Sequence, residues 1–117
     1  MITITFFAKE IEQNVKVNLE SVTGFRTEGH AEYARHGKDI VCAAVSMLVT
    51  NTINSIEAFT SAVFEYKEDE KKGQMEFKII SEPTSDIKLL FKSLLLGLQG
   101  IQEEYGEKYL RIDFQNS

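Results

Sequence analysis

The sequence predicts an α+β fold, with one largely antiparallel sheet of four to five strands and two helices packed on one face. Three observations predict it. Alternating apolar and polar residues stand near both ends of the chain, apolar residues recur at helical spacing in two long segments, and a charged turn separates two further alternating segments between them. The 117 residues suit one core, and no linker is visible, so we expect a single domain over residues 1–117.

The predicted strands are short and rich in β-branched and aromatic residues. Six segments alternate in this way, at 2–7, 15–19, 22–27, 62–66, 75–79 and 109–114. The second of them is either part of an extra hairpin or of an elongated strand, so it is not counted among the four to five strands. The third segment ends at Gly29 and His30. The charged segment 67–73 is predicted to join its two neighbours as an antiparallel hairpin.

Two segments carry apolar residues at helical spacing. The first runs over residues 40–59, and its opening turns are apolar on nearly every side, so it is predicted to start deep in the protein. The second follows Pro83, with Thr84 or Ser85 as its cap and Gly106 as its stop. Three leucines add to its main apolar stripe: Leu89, Leu95 and Leu96. With them, the helix has more apolar surface than one sheet face can cover, so we expect a further apolar contact such as a dimer interface.

Charge and cysteine content narrow the class of protein. The 18 acidic and 13 basic residues give a net charge of −5, and Lys71 and Lys72 lie beside acidic neighbours, so direct binding to nucleic acid is disfavoured. The only cysteine, Cys42, cannot form an intramolecular disulfide, which indicates a reducing compartment. No secretory signal is visible, and apolar runs are interrupted short of a membrane span. We expect a soluble, cytoplasmic protein without membrane attachment.

The residues that indicate chemistry lie between Gly29 and Ser46. If Asp39 is the N-cap of the first helix, Cys42 falls in its first turn, where the helix dipole favours a thiolate. An imidazolium at His30 would lower the thiol pKa further and give its proton to a leaving amine. Free N–H groups of the helix would then donate hydrogen bonds to the oxyanion of a tetrahedral intermediate. Cys42 and His30 are therefore the predicted catalytic pair.

Several neighbours have competing interpretations. Asp39 either caps the helix or orients His30, and its charge would oppose thiolate formation if it lay close to Cys42. Ser46 lies one turn after Cys42 and is either a small polar helix residue or a wall of the site. His36 is a second possible base, although a solvated loop histidine is the simpler interpretation.

Gly29 and Gly37 bracket the intervening loop, as ordinary turn residues or as hinges of a lid over bound peptide. One cysteine, two histidines and no clustered carboxylates predict no metal site, and no cofactor motif occurs.

The run formed by Gly29, His30 and Ala31, then Gly37, then residues 39–46, resembles the signature of the bacterial ribosomal-processing cysteine protease family, Prp. The resemblance implies an endopeptidase that removes the N-terminal extension of ribosomal protein L twenty-seven, cleaving after two phenylalanines and before a small residue. It places the catalytic histidine and cysteine on His30 and Cys42, with Asp39 and Ser46 in support. It also implies a homodimer, and a loop after the histidine that is mobile without substrate. One departure is a longer segment around residues 11–20, which affects the strand count.

Two other functions remain open. A non-catalytic module that binds a ribosomal protein or an assembly intermediate would keep the fold without the chemistry. A structural dimer would simply bury Cys42. For the protease, an apolar pocket near Cys42 is needed, and four residues are candidates for it: Tyr33, Val41, Val45 and Met47.

Overall fold

The computed structural model describes residues 1–11, 18–29 and 36–117, with only the backbone at 36–39. Within these residues the elements, in chain order, are β1 (Ile2–Ala8), a 3₁₀ turn (Leu19–Ser21), β2 (Val22–Glu28), α1 (His36–Phe59), β3 (Phe64–Asp69), β4 (Gln74–Ile79), α2 (Ser85–Tyr105) and β5 (Leu110–Asn116). The α+β prediction is confirmed.

The described strands form one sheet in the order β3-β4-β2-β1-β5. Three of its pairings are antiparallel, and only β1 and β5 run parallel. A parallel pair needs a crossover connection, and α2 supplies it by carrying the chain from β4 across the sheet to β5. The sheet is therefore largely antiparallel, as predicted.

The hydrophobic core lies between the sheet and the two helices. Phe25, at the centre of the sheet, has its ring centroid 5.6 Å from that of Phe77 on β4 and 6.2 Å from that of Phe91 on α2. The helices add buried residues at helical spacing: Val41, Val45, Val49 and Ile56 from α1, and Ile87, Phe91, Leu94, Leu95 and Leu98 from α2. Burial of each such side chain stabilises the fold by about 1.5–3 kcal/mol.

The two helices pack directly against each other at Gly97 and Leu48. A Cβ atom at Gly97 would lie 2.8 Å from Cδ1 of Leu48, so the missing side chain permits the close approach of α2 to α1. Gly100, one turn further along α2, has no atom within 4 Å of the same position. The contact is therefore local to Gly97.

The other face of the sheet carries a single large buried side chain among the described residues, Phe7, which is 2% exposed. Phe7 lies opposite Gly24 on β2, and the cations of Lys78 and Arg26 lie 4.8 and 5.5 Å from its ring centroid. Arg26 is itself paired with Glu28 and Glu76 on the same face, as strand alternation requires. The cationic groups of Arg26 and Lys78 thus lie over an aromatic ring that the helices do not reach.

Several predicted boundaries were wrong. The edge strand β3 is Phe64–Asp69 rather than 62–66, so its second half enters the charged segment and the turn shrinks to the residues before Gly73. An exposed edge strand accepts charged residues without cost, and they protect the edge from further pairing. Leu19, predicted to end a strand over 15–19, lies in the 3₁₀ turn; residues 15–17 lie outside the described residues.

The described ends of the long segment after β1 are tied together. The N–H of Asn18 donates to the carbonyl of Glu10 at 3.0 Å, and the N–H of Lys9 donates to that of Ser21 at 3.2 Å. Glu20 pairs with Lys92 of α2, and the hydrogen bond from the Lys92 ammonium holds the pKa of the Glu20 carboxyl below its ordinary value. The segment is thereby anchored to α2 where it returns to the sheet.

The second helix ends at Gly106, as predicted, where φ is +103°. Thr84 occupies the N-cap, although its side chain makes no cap hydrogen bond. Leu95 is buried in the core, so it does not belong to the exposed apolar surface expected of this helix. Leu89 and Leu96 are 65% and 71% exposed and lie on the outer face of α2.

The first helix is long and apolar enough to cross a membrane by length and composition alone. Its window Ile40–Phe59 has a mean hydropathy of 1.4, which the interrupted apolar runs of the sequence did not suggest. Val41, Val45, Val49 and Ile56 of this window pack in the core against the sheet and α2. Their burial accounts for part of the apolar character of α1, since 28% of the window is buried in the fold.

Candidate active site

Cys42 lines a cleft between the first half of α1 and the end of the sheet where β2 finishes. The cleft has a volume of about 370 Å³. Its described lining comprises Ile2, Thr27, Gly29, Cys42, Val45, Ser46, Val49, Thr50, Tyr66 and Met75. Sites that hold small ligands range over about 300–1,000 Å³, so this space suits a short piece of peptide.

The helical wall of the cleft starts at Cys42 and ends at Thr50. Val45 and Val49 lie one turn apart on its buried side, while Ser46 and Thr50 lie one turn apart on its exposed side. At about 1.5 Å per residue, the wall is about 12 Å long. Cys42 therefore lies at one end of the described cleft rather than in its middle. Among the hydrogen bonds of the described residues none involves the Ser46 hydroxyl, whereas Thr52 and Thr60 bond to the carbonyls one turn back.

The opposite wall comes from the sheet. Met75 on β4 pairs with Thr27 on β2 and with Glu68 on β3, and these residues share the face that bears the helices. Tyr66 lies one pair further along β3, opposite the core residue Phe77, and is 49% exposed. Burial, followed by the charge of Glu68 and a hydrogen bond to it, raises the pKa of the Tyr66 hydroxyl. Met75 and Tyr66 thus continue the apolar face of the sheet beyond the part that α1 covers.

The electrostatic activation expected for Cys42 needs correction. The helix α1 begins at His36, so Asp39 is its fourth residue and not its N-cap, and Cys42 is its seventh. The dipole effect falls off within the first turn, and only the first four N–H groups of a helix lack partners within it. The first-turn argument for the thiolate therefore fails, and the N–H of Cys42 is committed to its own helix rather than free to bind an oxyanion. The side chains of residues 36–39, including that of His36, lie outside the described part of the structure.

The two glycines that bracket the loop differ in their surroundings. Gly29 has φ +87°, and a Cβ atom there would lie 2.3 Å from the carbonyl oxygen of Met1, so glycine is required at this position. Gly37 lies within α1 and therefore does not end a loop, contrary to its predicted position. Gly29 lines the cleft and immediately precedes His30 in the sequence. His30 and Tyr33 lie outside the described residues.

The apolar pocket expected near Cys42 exists, but its lining differs from the expectation. Val45 belongs to it. Val41 is 1% exposed within the core and Met47 is 69% exposed on the outer face of α1, and neither lines the cleft. Tyr66 and Met75 were missed because only the pairing of β4 with β2 brings the hairpin to the helix that carries Cys42. Within the described ranges, no group of three or more histidine, cysteine or acidic side chains is arranged to hold a metal ion.

Comparison with known proteins identifies the family. The family model described as cysteine protease Prp matches residues 1–110. This chain belongs to the Prp family. The ribosomal processing cysteine protease Prp of Staphylococcus aureus strain Mu50 is 30% identical over 106 residues, which cover 90% of this chain and 99% of the relative. The Prp of Bacillus subtilis strain 168 is 28% identical over 90 residues, which cover 74% of this chain and 80% of the relative.

The fold agrees with a solved Prp structure. The crystal structure of an S. aureus Prp in complex with a covalently linked product peptide superposes with a TM-score of 0.79 at 27% identity, covering 98% of this chain and 100% of that one. The five-stranded sheet with its two helices is thus shared with a member of the family that binds peptide. The family predicted from the residues around His30 and Cys42 is confirmed.

Proposed function

We propose that this chain is a cysteine endopeptidase that processes a ribosomal protein, with Cys42 as its nucleophile. The observation that carries the proposal is the position of Cys42 at the end of a peptide-sized cleft in a chain of the Prp family. The thiol is free and partly exposed, as an attacking group must be. The proposed substrate is the N-terminal extension of ribosomal protein L twenty-seven, cut after a pair of phenylalanines.

The proposed reaction has two steps. His30 takes the proton of the Cys42 thiol, and the thiolate attacks the carbonyl carbon of the scissile bond. Collapse of the tetrahedral intermediate breaks the C–N bond, and the imidazolium of His30 gives its proton to the leaving amine. A water molecule, deprotonated by His30, then attacks the thioester, and the proton returns to the Cys42 sulfur as the acid product leaves. Because Cys42 lies beyond the first turn of α1, the proposed activation of its thiol depends on His30 rather than on the helix dipole.

Asp39 and Ser46 are proposed to support this pair. Ser46 shares the cleft with Cys42, and its exposed hydroxyl suits a polar contact with substrate backbone. We expect Ser46→Ala to lower kcat/KM with little change in stability, because an exposed helix residue tolerates alanine well. The variant Asp39→Asn tests the role of Asp39, because it removes the charge and keeps a polar side chain. Fully retained activity in this variant would argue against a role for the charge of Asp39 in orienting His30.

The test of the protease proposal is incubation with a peptide containing Phe-Phe-Ala under reducing conditions. Cleavage after the second phenylalanine is expected from the natural chain and not from Cys42→Ala or His30→Ala, and Ser55→Ala at the far end of α1 serves as the matched control. Binding without cleavage would instead support a module that only captures the ribosomal protein. Absence of both binding and cleavage would favour a structural dimer in which Cys42 has no chemical role.

We also propose that the protein acts as a cytoplasmic homodimer, without direct contact to nucleic acid or membrane. A free nucleophilic thiol is preserved in a reducing compartment. Leu89 and Leu96 lie seven residues apart on the exposed face of α2, which is the repeat of a helix–helix contact. Light scattering is expected to show a dimer for the natural chain and a monomer for the double variant Leu89→Gln, Leu96→Gln, with Met47→Gln as the control on α1.

A further inference from the structure

We infer that Met75 and Tyr66 determine substrate specificity, by forming the apolar wall against which an aromatic side chain on the acyl side of the scissile bond packs. The inference rests on the proposed protease function and deepens it. It assigns the choice of substrate to the β3–β4 hairpin, which carries neither of the proposed catalytic residues.

The sheet register carries the inference. On the face that bears the helices, Phe25 pairs with Phe77 and Thr27 pairs with Met75, so Met75 is the next residue outward from the aromatic core. Phe77 is fully buried beneath the helices, whereas Met75 is only partly buried and lines the cleft. The apolar surface of the sheet therefore extends past the helices and is open at Met75. A flexible thioether there adapts to an inserted ring and gains a sulfur–aromatic contact of about 0.3–1.5 kcal/mol.

Tyr66 closes the outer side of this surface. It is partly exposed at the cleft, and its ring offers an apolar face with geometry suited to pairing with another aromatic ring. Its hydroxyl is neutral over the physiological range because an ordinary tyrosine titrates near pH 10, and burial, followed by Glu68, raises its pKa further. A neutral ring beside a thioether favours an apolar side chain over a charged one.

The length of the cleft limits how much of the substrate it holds. Cys42 is at one end of a wall of about 12 Å, and an extended peptide advances about 3.3 Å per residue. The described cleft therefore holds three to four residues on one side of the scissile bond. The acyl side stays covalently bound to Cys42 through the second step, so contacts that position it act in both steps of the reaction. Val45 and Val49 complete the enclosure for its side chains from α1.

The test uses two peptides that differ only in having phenylalanine or alanine at the two positions before the scissile bond. In Met75→Ala, kcat/KM for the phenylalanine peptide is expected to fall about tenfold, chiefly through KM, and that for the alanine peptide to change less than about threefold. Met75→Trp, which fills the space, is expected to reverse the preference. Met47→Ala is the matched control, because Met47 is exposed on α1 away from the cleft.

Tyr66→Ala and Tyr66→Phe separate the ring from its hydroxyl. The first is expected to lose the preference for phenylalanine and the second to keep it. Equal losses on the two peptides in Met75→Ala or Tyr66→Ala, or the same shift in preference in Met47→Ala, would overturn the inference. A thermal unfolding curve for each variant shows that the changes arise in folded protein.

Calorimetric binding in the Cys42→Ala background makes the result independent of turnover. The ratio of Kd values for the two peptides is expected to shrink about tenfold when Met75→Ala is added. An unchanged ratio overturns the specificity inference even if the natural chain is a protease. Conversely, the natural chain could prefer the phenylalanine peptide in binding and yet cleave neither peptide. That result would overturn the protease proposal and leave the assignment of the binding wall in place.

Discussion

The backbone N–H of Gly29 donates a hydrogen bond to the carbonyl oxygen of Gly73 at 3.1 Å. This contact ties the end of β2, one residue before His30, to the turn of the β3–β4 hairpin. On its other side Gly29 lies against the carbonyl of Met1, with no space for a Cβ atom. The end of β2, the turn of the hairpin and the residue before β1 thus together set the position of the chain just before the proposed base.

Gly29→Ala is expected to destabilise the fold and to reduce activity together. A positive φ costs a non-glycine residue about 1–2 kcal/mol, and the clash with the Met1 carbonyl adds to it. Urea unfolding measures the loss. Gly37→Ala is the control: Gly37 lies in α1, where alanine is the better helix former, so stability should be unchanged or slightly higher. Equal destabilisation by the two substitutions would contradict this account.

Gly97 and Gly100 of α2 should respond oppositely to alanine. Gly100→Ala adds a methyl group in open space within a helix and is expected to stabilise by about 0.5–1 kcal/mol. Gly97→Ala presses a methyl group against Leu48 and is expected to lose that gain and about 1 kcal/mol more. Thermal unfolding of the two variants tests this difference. An equal gain in stability in both would show that Gly97 does not pack closely against Leu48.

Phe7 is expected to be a main stabilising residue of the sheet face that lacks helices. Its removal in Phe7→Ala exposes Gly24 and leaves a cavity beneath Lys78 and Arg26, at a cost of about 3 kcal/mol. The equilibrium free energy of unfolding in urea measures this cost. Lys78→Met keeps an apolar stem over the ring and should cost far less. A loss below about 1 kcal/mol in Phe7→Ala would show that the ring is not packed as described.

The titration of Tyr66 should reveal its position at the cleft. Burial, then Glu68, raises its pKa above the ordinary value of 10.0, so its neutral form is favoured by folding. This contribution to stability is fully present below the unfolded pKa of about 10 and is lost as the pH rises through the folded pKa. The difference in phenolate absorbance between the natural chain and Tyr66→Phe isolates the titration of Tyr66. Glu68→Gln should lower that pKa only part of the way, because burial is the larger cause; a complete return would contradict the burial.

The sequence predicted the fold because its periodicities are strong. Alternation marked β1 and β2, helical spacing marked α1 and α2, and Gly106 marked the end of α2. The start of α1 was misplaced because Asp39 offers a cap signal inside a segment that is already helical. The first half of β3 was predicted and the second half was not. The charged residues of the second half are exposed at the edge of the sheet, so they lack the apolar alternation of a strand that packs on a core.

The candidate site was predictable only in part. Cys42 and Ser46 share a helix, so spacing alone placed them together, and the structure places them in one cleft. Met75 and Tyr66 reach that cleft through the pairing of Met75 with Thr27, a long-range register that no local pattern encodes. Aromatic and sulfur-containing residues near the end of a hairpin were visible in the sequence, but nothing linked them to α1.

The hairpin of β3 and β4 presents Met75 and Tyr66 to the cleft, and its turn holds Gly29. A substitution that adapts the hairpin to a new peptide is therefore expected to displace Gly29 as well, and with it the chain that leads to the proposed base. Substitutions that change the preferred substrate are therefore expected to occur in pairs. One substitution admits the new side chain, and a second restores the position of the end of β2.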